Sequence, residues 1–204
     1  MKLYYTSSVG QNQIQSDCHL SLGGYQSASP LPNNAFGAMF DEITQFLLSK
    51  TPQDEFLGIV LHNETGAEVD NLWLYFEYPD KAYSKLLVAA VDMSADVNGI
   101  LAMEHIPTRN SQPLAGTFYE ADGVENALSL GTIPVDGMIG LWFCRRLTDN
   151  LATTVVTESN LYQTDSTNSD LVIAVVLDKT DTIAIRFVYG SEYYYGAAVG
   201  DDLI

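Results

Sequence analysis

The sequence has few basic residues for its length. Nine Lys and Arg stand against twenty-six Asp and Glu in 204 residues, which gives a formal net charge of −17. Tight nucleic-acid binding needs clustered Lys or Arg to replace the counterions of the phosphates, and the one adjacent basic pair, Arg145-Arg146, is too small for that role. Two interpretations of the charge stay open: a well-hydrated surface that keeps the protein soluble, or a surface that repels polyanions and prefers basic partners.

Cysteines and long apolar runs are also scarce. Of the two cysteines, Cys144 lies within a strand pattern and is expected to be a small buried hydrophobe. Cys18 lies beside His19 and is a possible ligand pair with it, but two residues make no metal site. A reducing, cytoplasmic folding environment fits this cysteine content. No apolar run approaches the ~20 residues of a membrane span, and residues 1–6 have no apolar region typical of a secretory signal.

Motifs for catalysis are missing. Each histidine is isolated, without a second ligand two or four residues away, and the adjacent acids Asp41 and Glu42 would face different directions on a helix. The sequence has no G-x-S-x-G elbow, no phosphate-binding loop and no calcium-loop pattern. We therefore expect no enzyme activity, no catalytic residue, no cofactor and no metal. The isolated histidines are His19, His62 and His105.

Helical periodicity is confined to one stretch, residues 34–50. Five apolar residues there recur at the spacing of one helical face. Asn33 or Asn34 can cap the start of this helix, and Thr51-Pro52 ends it. We expect one short helix that plugs an end or edge of a β structure. The five apolar residues are Phe36, Met39, Phe40, Ile43 and Leu47.

The remainder of the chain is typical of strands. The near-continuous apolar run 55–63 predicts a central strand covered on both faces. In 71–78, alternation places one set of side chains in the core (Leu72, Leu74, Phe76) and gives Trp73 and Tyr75 to a half-exposed aromatic surface. Other strands are predicted at 3–7, 85–93, 100–106 and 117–120, and hairpins at 128–134/138–147 and 171–177/182–189.

About eight to ten strands with one helix and no alternating β and α units predict a mainly β fold: an antiparallel β-sandwich of the immunoglobulin-like or jelly-roll kind. The polar, nearly neutral residues 1–30 predict an extended N-terminal arm, and residues 31–148 the sandwich core. Residues 149–204 predict a C-terminal β-hairpin extension, which either completes the sandwich or packs on a neighbouring subunit.

Several ordered blocks between residues 20 and 147 resemble a family of tailed-bacteriophage virion structural proteins, with a crAss-like or podovirus tail or collar component as the nearest likeness. The family's "L-G-G-x-x-S…P…N…L-F-D-x-[IV]" segment is similar to residues 21–43, and the strand that follows it, ending in an Asn turn, to residues 56–63. Its "L-G-x-I…I-x-[IL]-W-[IL]-x-R" hairpin is similar to residues 130–146, with Phe143 and Cys144 as departures.

The resemblance implies a non-enzymatic β-sandwich subunit of a symmetric ring near the portal. Such a chain would be made in the host bacterial cytoplasm and located in the virion. Its partners would be further copies of itself, joined through the N-terminal arm and C-terminal hairpin, and other portal or tail proteins, with no membrane. DNA would pass through an acidic lumen without sequence-specific binding.

Two hypotheses follow, with different site residues. A ring subunit would bury Gly23, Gly24 and Tyr25, together with Tyr193, Tyr194 and Tyr195, at subunit contacts. The alternative is a carbohydrate- or receptor-binding module of a phage particle, such as a decoration or fibre domain. It would present Trp73 and Tyr75, or the three C-terminal tyrosines, as an exposed aromatic platform.

Overall fold

The computed structural model describes residues 1–32, 39–40, 54–77, 84–147, 171–177 and 183–189. Two 3₁₀ turns, Cys18–Leu20 and Val124–Asn126, accompany the strands in these ranges. In chain order the strands are β1 (Lys2–Ser7), β2 (Gly23–Pro30), β3 (Asp54–His62), β4 (Val69–Glu77), β5 (Ser84–Val91), β6 (Ser94–Ala95), β7 (Leu101–His105), β8 (Leu128–Ile133), β9 (Met138–Leu147), β10 (Leu171–Leu177) and β11 (Ile183–Tyr189).

The strands form two antiparallel sheets. Sheet 1 has seven strands in the order β5-β9-β3-β1-β2-β7-β6, and sheet 2 has four in the order β11-β10-β4-β8. This confirms the predicted mainly β, sandwich-like fold, in which sheet 1 curls and a second sheet accompanies it. No helix among the described residues has the length and apolar character to cross a membrane.

The main core lies between the two sheets. Leu72, Leu74 and Phe76 of β4 are at most 2% exposed, which confirms the predicted alternation. Phe76 meets Phe143 of β9 with 5.8 Å between ring centroids, so aromatic side chains from both sheets touch in this core. A fully buried side chain of this size stabilises the fold by about 1.5–3 kcal/mol.

A second core covers the other face of sheet 1. Trp142 and Val60 are fully buried there. The curl of the sheet and the segment after β7 supply the cover, since Phe56 N donates to Arg109 O (2.7 Å) and Val88 exchanges two backbone hydrogen bonds with Tyr119. β3 is therefore buried on both faces, as its apolar run predicted.

The predicted extended arm at residues 1–30 is wrong. β1 lies in the interior of sheet 1, paired on one side with β3 and on the other with β2. Leu3 and Tyr5 are 2% and 1% exposed. The segment looked like coil because it is polar, but Thr6, Ser21 and Ser27 are buried and donate hydrogen bonds to backbone oxygens of the same chain.

The predicted 128–134/138–147 hairpin is also wrong, although both strands exist. β8 pairs with β4 in sheet 2, while β9 pairs with β3 and β5 in sheet 1. The turn therefore crosses between the sheets. Asp136 takes the left-handed conformation (φ 54°), and Gly137 N donates to Pro134 O (2.9 Å) to close the turn.

The C-terminal hairpin is confirmed. β10 and β11 pair antiparallel, and β10 also pairs along its length with β4 of the same chain. The sequence left open whether the hairpin completes the sandwich or packs on a neighbouring subunit. In the structure, it completes sheet 2 of its own chain. β10 and β11, the described part of the predicted extension at residues 149–204, are therefore strands of the sandwich.

The predicted helix at 34–50 lies outside the described residues except for Met39 and Phe40. These two form a bend and are 0% and 3% exposed, so both belong to the core between the sheets. A turn at Asn98-Gly99, with φ 79° at Gly99, lies between the predicted strands 85–93 and 100–106. It connects β6 to β7, whereas β5 pairs with β9.

Candidate functional site

Gly23 and Gly24, predicted at a subunit contact, are buried by their own chain. Both have positive φ, 84° and 94°. A Cβ on Gly23 would lie 1.8 Å from Glu104 O, and one on Gly24 would lie 2.5 Å from Ser7 O. The close approach of β2 to β7 and β1 therefore requires glycine at both positions, and neither offers a surface to a neighbour.

A polar network beneath these glycines explains why β1 and the start of β2 are polar in sequence. Ser21 Oγ donates to Gly58 O (2.5 Å), and Thr6 Oγ1 lies 3.1 Å from Ser21 Oγ. Gly23 N donates to Thr6 Oγ1 (2.9 Å) and Thr6 N donates to Ser21 Oγ (2.8 Å). Thr6 and Ser21 are fully buried, and the hydrogen bonds of this network offset the desolvation cost of burying their hydroxyls.

Tyr25 is the only one of the three N-terminal interface candidates with exposed surface. It is half-buried, and its hydroxyl donates to Asp96 Oδ2 (2.9 Å). That hydrogen bond raises the pKa of Tyr25. The pKa of Asp96 is lowered, first by the backbone N–H of Ile100. The Tyr25 side chain thus links β2 to the turn before β7.

Trp73 and Tyr75 occupy the outer face of sheet 2. Both are half-buried on β4, on the opposite face from the core residues of that strand. Their register partners on β10 are Val176 and Ala174, and Ser129 of β8 is opposite Trp73. Two neighbouring aromatic rings on one sheet face form the aromatic surface that the sequence predicted. Tyr193, Tyr194 and Tyr195 lie outside the described residues.

A charged cluster joins β1 to the β3–β4 turn. Glu64 accepts from Tyr4 Oη (2.5 Å) and pairs with Lys2 Nζ (2.9 Å), while His62 Nδ1 lies 3.6 Å from its carboxylate. The hydrogen bonds from Tyr4 and then Lys2 lower the pKa of Glu64. Burial, followed by the bond to Glu64, raises the pKa of Tyr4. Both shifts oppose acid–base exchange near neutral pH, so this cluster acts as an ion-pair clamp.

Asp17 lies close to Cys18 and His19 and is a third potential metal ligand. The sequence pointed only to Cys18 and His19, as a pair. One donor atom from each lies within 4.8 Å of the others. Asp17 Oδ1, however, accepts from His19 N (2.8 Å), and the Arg109 guanidinium lies 2.9 Å from His19 Nδ1. A metal would compete with a cation at that nitrogen, whereas metal-binding histidines usually face a carboxylate or carbonyl. The arrangement fits a hydrogen-bonded turn better than a metal site.

The basic pair on β9 is engaged by acids on β3. Arg145 bonds to Glu55, and Arg146 Nη2 lies 2.7 Å from Asp54 Oδ2. Arg145 is buried, with its guanidinium 5.0 Å from the centre of the Phe40 ring. Sequence reasoning missed these pairs because β3 and β9 are far apart in the chain. The two arginines fasten the sheet and offer no cluster of available cations for phosphates.

The outer edges of the two sheets differ. Sheet 2 ends in β11 and β8, seven and six residues long, and no described strand pairs with their outer edges. In sheet 1, the outer edge of β5 is bridged by Tyr119, and β6 has only two residues. Long open edges are templates for pairing with another chain.

No protein-family model, no curated protein and no solved structure matches this chain.

Proposed function

We propose that this chain is a non-enzymatic structural protein of a bacteriophage virion and forms a symmetric ring in the tail or collar, near the portal. The proposal combines the resemblance of residues 20–147 to such proteins with the arrangement of sheet 2. Its partners are further copies of the same chain and other portal or tail proteins.

The observation that carries the proposal is that no strand in the described part of the chain pairs with the outer edge of β11 or β8 in sheet 2. A ring subunit needs two different surfaces, one for each neighbour, because head-to-tail contacts close a ring only if the surfaces are complementary. Sheet 2 has two such edges on opposite sides. The N-terminal segment was first expected to join neighbours, but β1 and β2 are interior strands of sheet 1 and offer no open edge to a neighbour.

In such a ring, the negative charge would keep DNA from binding to the wall of the channel. With twenty-six acids and nine bases per chain, and with the Arg145 and Arg146 guanidiniums held by acids of β3, a ring of these subunits would surround its channel with negative potential. Such a lumen repels DNA phosphates and lets the genome slide. An outer wall that holds the acids and a neutral or basic channel would contradict this part of the proposal.

Electron microscopy of the purified full chain tests the ring. The expected images show closed rings of one symmetry, with the sheets of each subunit in the same orientation. A field that holds only single small particles, up to the solubility limit, contradicts the proposal. A filament that does not close would support head-to-tail contacts but contradict the ring.

A second candidate is a carbohydrate- or receptor-binding module, favoured by the half-exposed Trp73 and Tyr75 on one sheet face. Aromatic faces of this kind pack against sugar rings and dock protein surfaces. Screening of oligosaccharides by calorimetry would test it, with Trp73→Ala as the loss-of-binding variant and Tyr119→Ala, at an exposed tyrosine elsewhere, as the control. Binding that both variants retain equally would exclude Trp73 as the platform.

A further inference from the structure

We propose that sheet 2 continues from one subunit to the next, with the outer edge of β11 in one copy paired antiparallel to the outer edge of β8 in its neighbour. The inference rests on the proposed ring and names the contact that closes it. Its occupant is a second copy of this chain.

The direction of the strands supports this pairing. Each neighbouring pair in sheet 2 is antiparallel: β11 with β10, β10 with β4, and β4 with β8. Four alternating strands leave β11 and β8 pointing in opposite directions. When copies are placed side by side in the same orientation, β11 of one and β8 of the next are therefore antiparallel, and the alternation continues without interruption.

Sheet 1 does not offer the same contact. Its seven strands also alternate, so its two edge strands, β5 and β6, point in the same direction and would meet in parallel between copies in one orientation. The β5 edge is already used, since Val88 N donates to Tyr119 O (2.8 Å) and Tyr119 N donates to Val88 O (2.9 Å). The two residues of β6 give too short a ladder for a stable contact.

Charge supports a second copy as the occupant. Two molecules of net charge −17 repel each other over most of their surfaces. β8 (LSLGTI) has no charged residue, and β11 (IAIRFVY) has a single charged residue, Arg186. Natural proteins usually protect exposed edge strands with charges or proline, and these two edges lack acids and prolines altogether. Two copies that meet at these edges bring no acidic side chain of β8 or β11 against each other.

Cysteine cross-linking of the full chain tests the contact. Ser129→Cys places a thiol on β8, where the native side chain is exposed, and Ala184→Cys places one on β11. Paired strands lie about 5 Å apart, so a short bismaleimide joins thiols across the contact and tolerates a small shift in register. The native thiols give little background, because Cys18 and Cys144 are buried and burial raises the pKa of Cys144 to about 12.

The single variants serve as matched controls for each other. A mixture of Ser129→Cys and Ala184→Cys chains should give a cross-linked dimer, and the double variant should give a ladder of dimers, trimers and larger products up to the ring. Each single variant alone should give no dimer. A dimer from Ala184→Cys alone would show a two-fold contact between β11 strands and would overturn the inference.

The mass of the uncross-linked protein separates the two proposals. A large oligomer whose mixed variants do not cross-link overturns the β11–β8 contact and leaves the ring standing. A monomer at every concentration overturns both. Circular dichroism of each variant, matched to the native spectrum, confirms that the substitutions leave the sandwich folded.

Discussion

Asn63 holds the crossing between the two sheets, and its substitution gives the sharpest test of the fold. Its side chain is fully buried at the end of β3. The amide Nδ2 donates to Ala67 O (2.7 Å), Pro134 O (2.9 Å) and Ile133 O (3.0 Å). One side chain therefore ties the β3–β4 turn to the turn that carries the chain from sheet 2 to sheet 1.

Asn63→Asp removes these donors while keeping the size of the side chain and the Oδ1 acceptor for Thr65. Two amide protons serve the three carbonyl oxygens, and loss of each bond in a buried site costs about 1–3 kcal/mol. The expected loss in free energy of unfolding is therefore about 2–6 kcal/mol at neutral pH, against the ~5–15 kcal/mol that is typical of a domain.

Urea unfolding followed by tryptophan fluorescence measures this loss, because Trp142 is buried in the native state. Asn12→Asp is the matched control: it makes the same change at an exposed position, and we expect a change of less than about 0.5 kcal/mol. The new carboxylate in Asn63→Asp faces carbonyl oxygens, which raises its pKa in the folded state. Part of the lost stability should therefore return as the pH falls below that raised pKa. An unchanged urea midpoint for Asn63→Asp would refute the role of Asn63.

Three further predictions address other parts of the structure. Gly23→Ala should lower the free energy of unfolding by more than about 3 kcal/mol because its Cβ would overlap Glu104 O. The control is Gly66→Ala, which has positive φ but open space around it and should cost only about 1 kcal/mol. Equal losses for the two variants in urea unfolding would contradict the predicted overlap. The lowered pKa of Glu64 contributes stability above the unfolded-state value of about 4.3 and loses it as the pH falls through the folded-state pKa. Glu64→Gln should therefore be less stable than the native chain at neutral pH, with the difference shrinking in acid, and a pH-independent difference in urea midpoint would contradict this. Fluorescence anisotropy at low salt should detect no binding to double-stranded DNA, whereas salt-sensitive binding would contradict the acidic lumen.

Strands whose side-chain pattern matches their burial were predictable from the sequence. The run in β3 is apolar on both faces because both cores contact it, and β4 alternates because only one of its faces meets the main core. In both strands the buried positions hold apolar residues, so the pattern of apolar residues along the strand predicts which of its faces are buried.

The parts that were missed depend on partners far away in the chain. Thr6 and Ser21 make the N-terminal segment look like coil, but a buried network reaching Gly58 satisfies their hydroxyls. The turn at Asp136-Gly137 reverses the chain in either arrangement, so local chemistry does not distinguish a hairpin from a crossing. The three carbonyl bonds of Asn63 help to fix the crossing, two of them formed with residues about seventy positions away.

The central claim is assembly into a closed ring, and the mass of the full chain in solution tests it most directly. Light scattering at several protein concentrations and salt concentrations is the measurement. We predict one large oligomer of fixed mass whose population rises with salt, because salt screens the repulsion between chains of charge −17. A monomer at every concentration and every salt level would contradict the account.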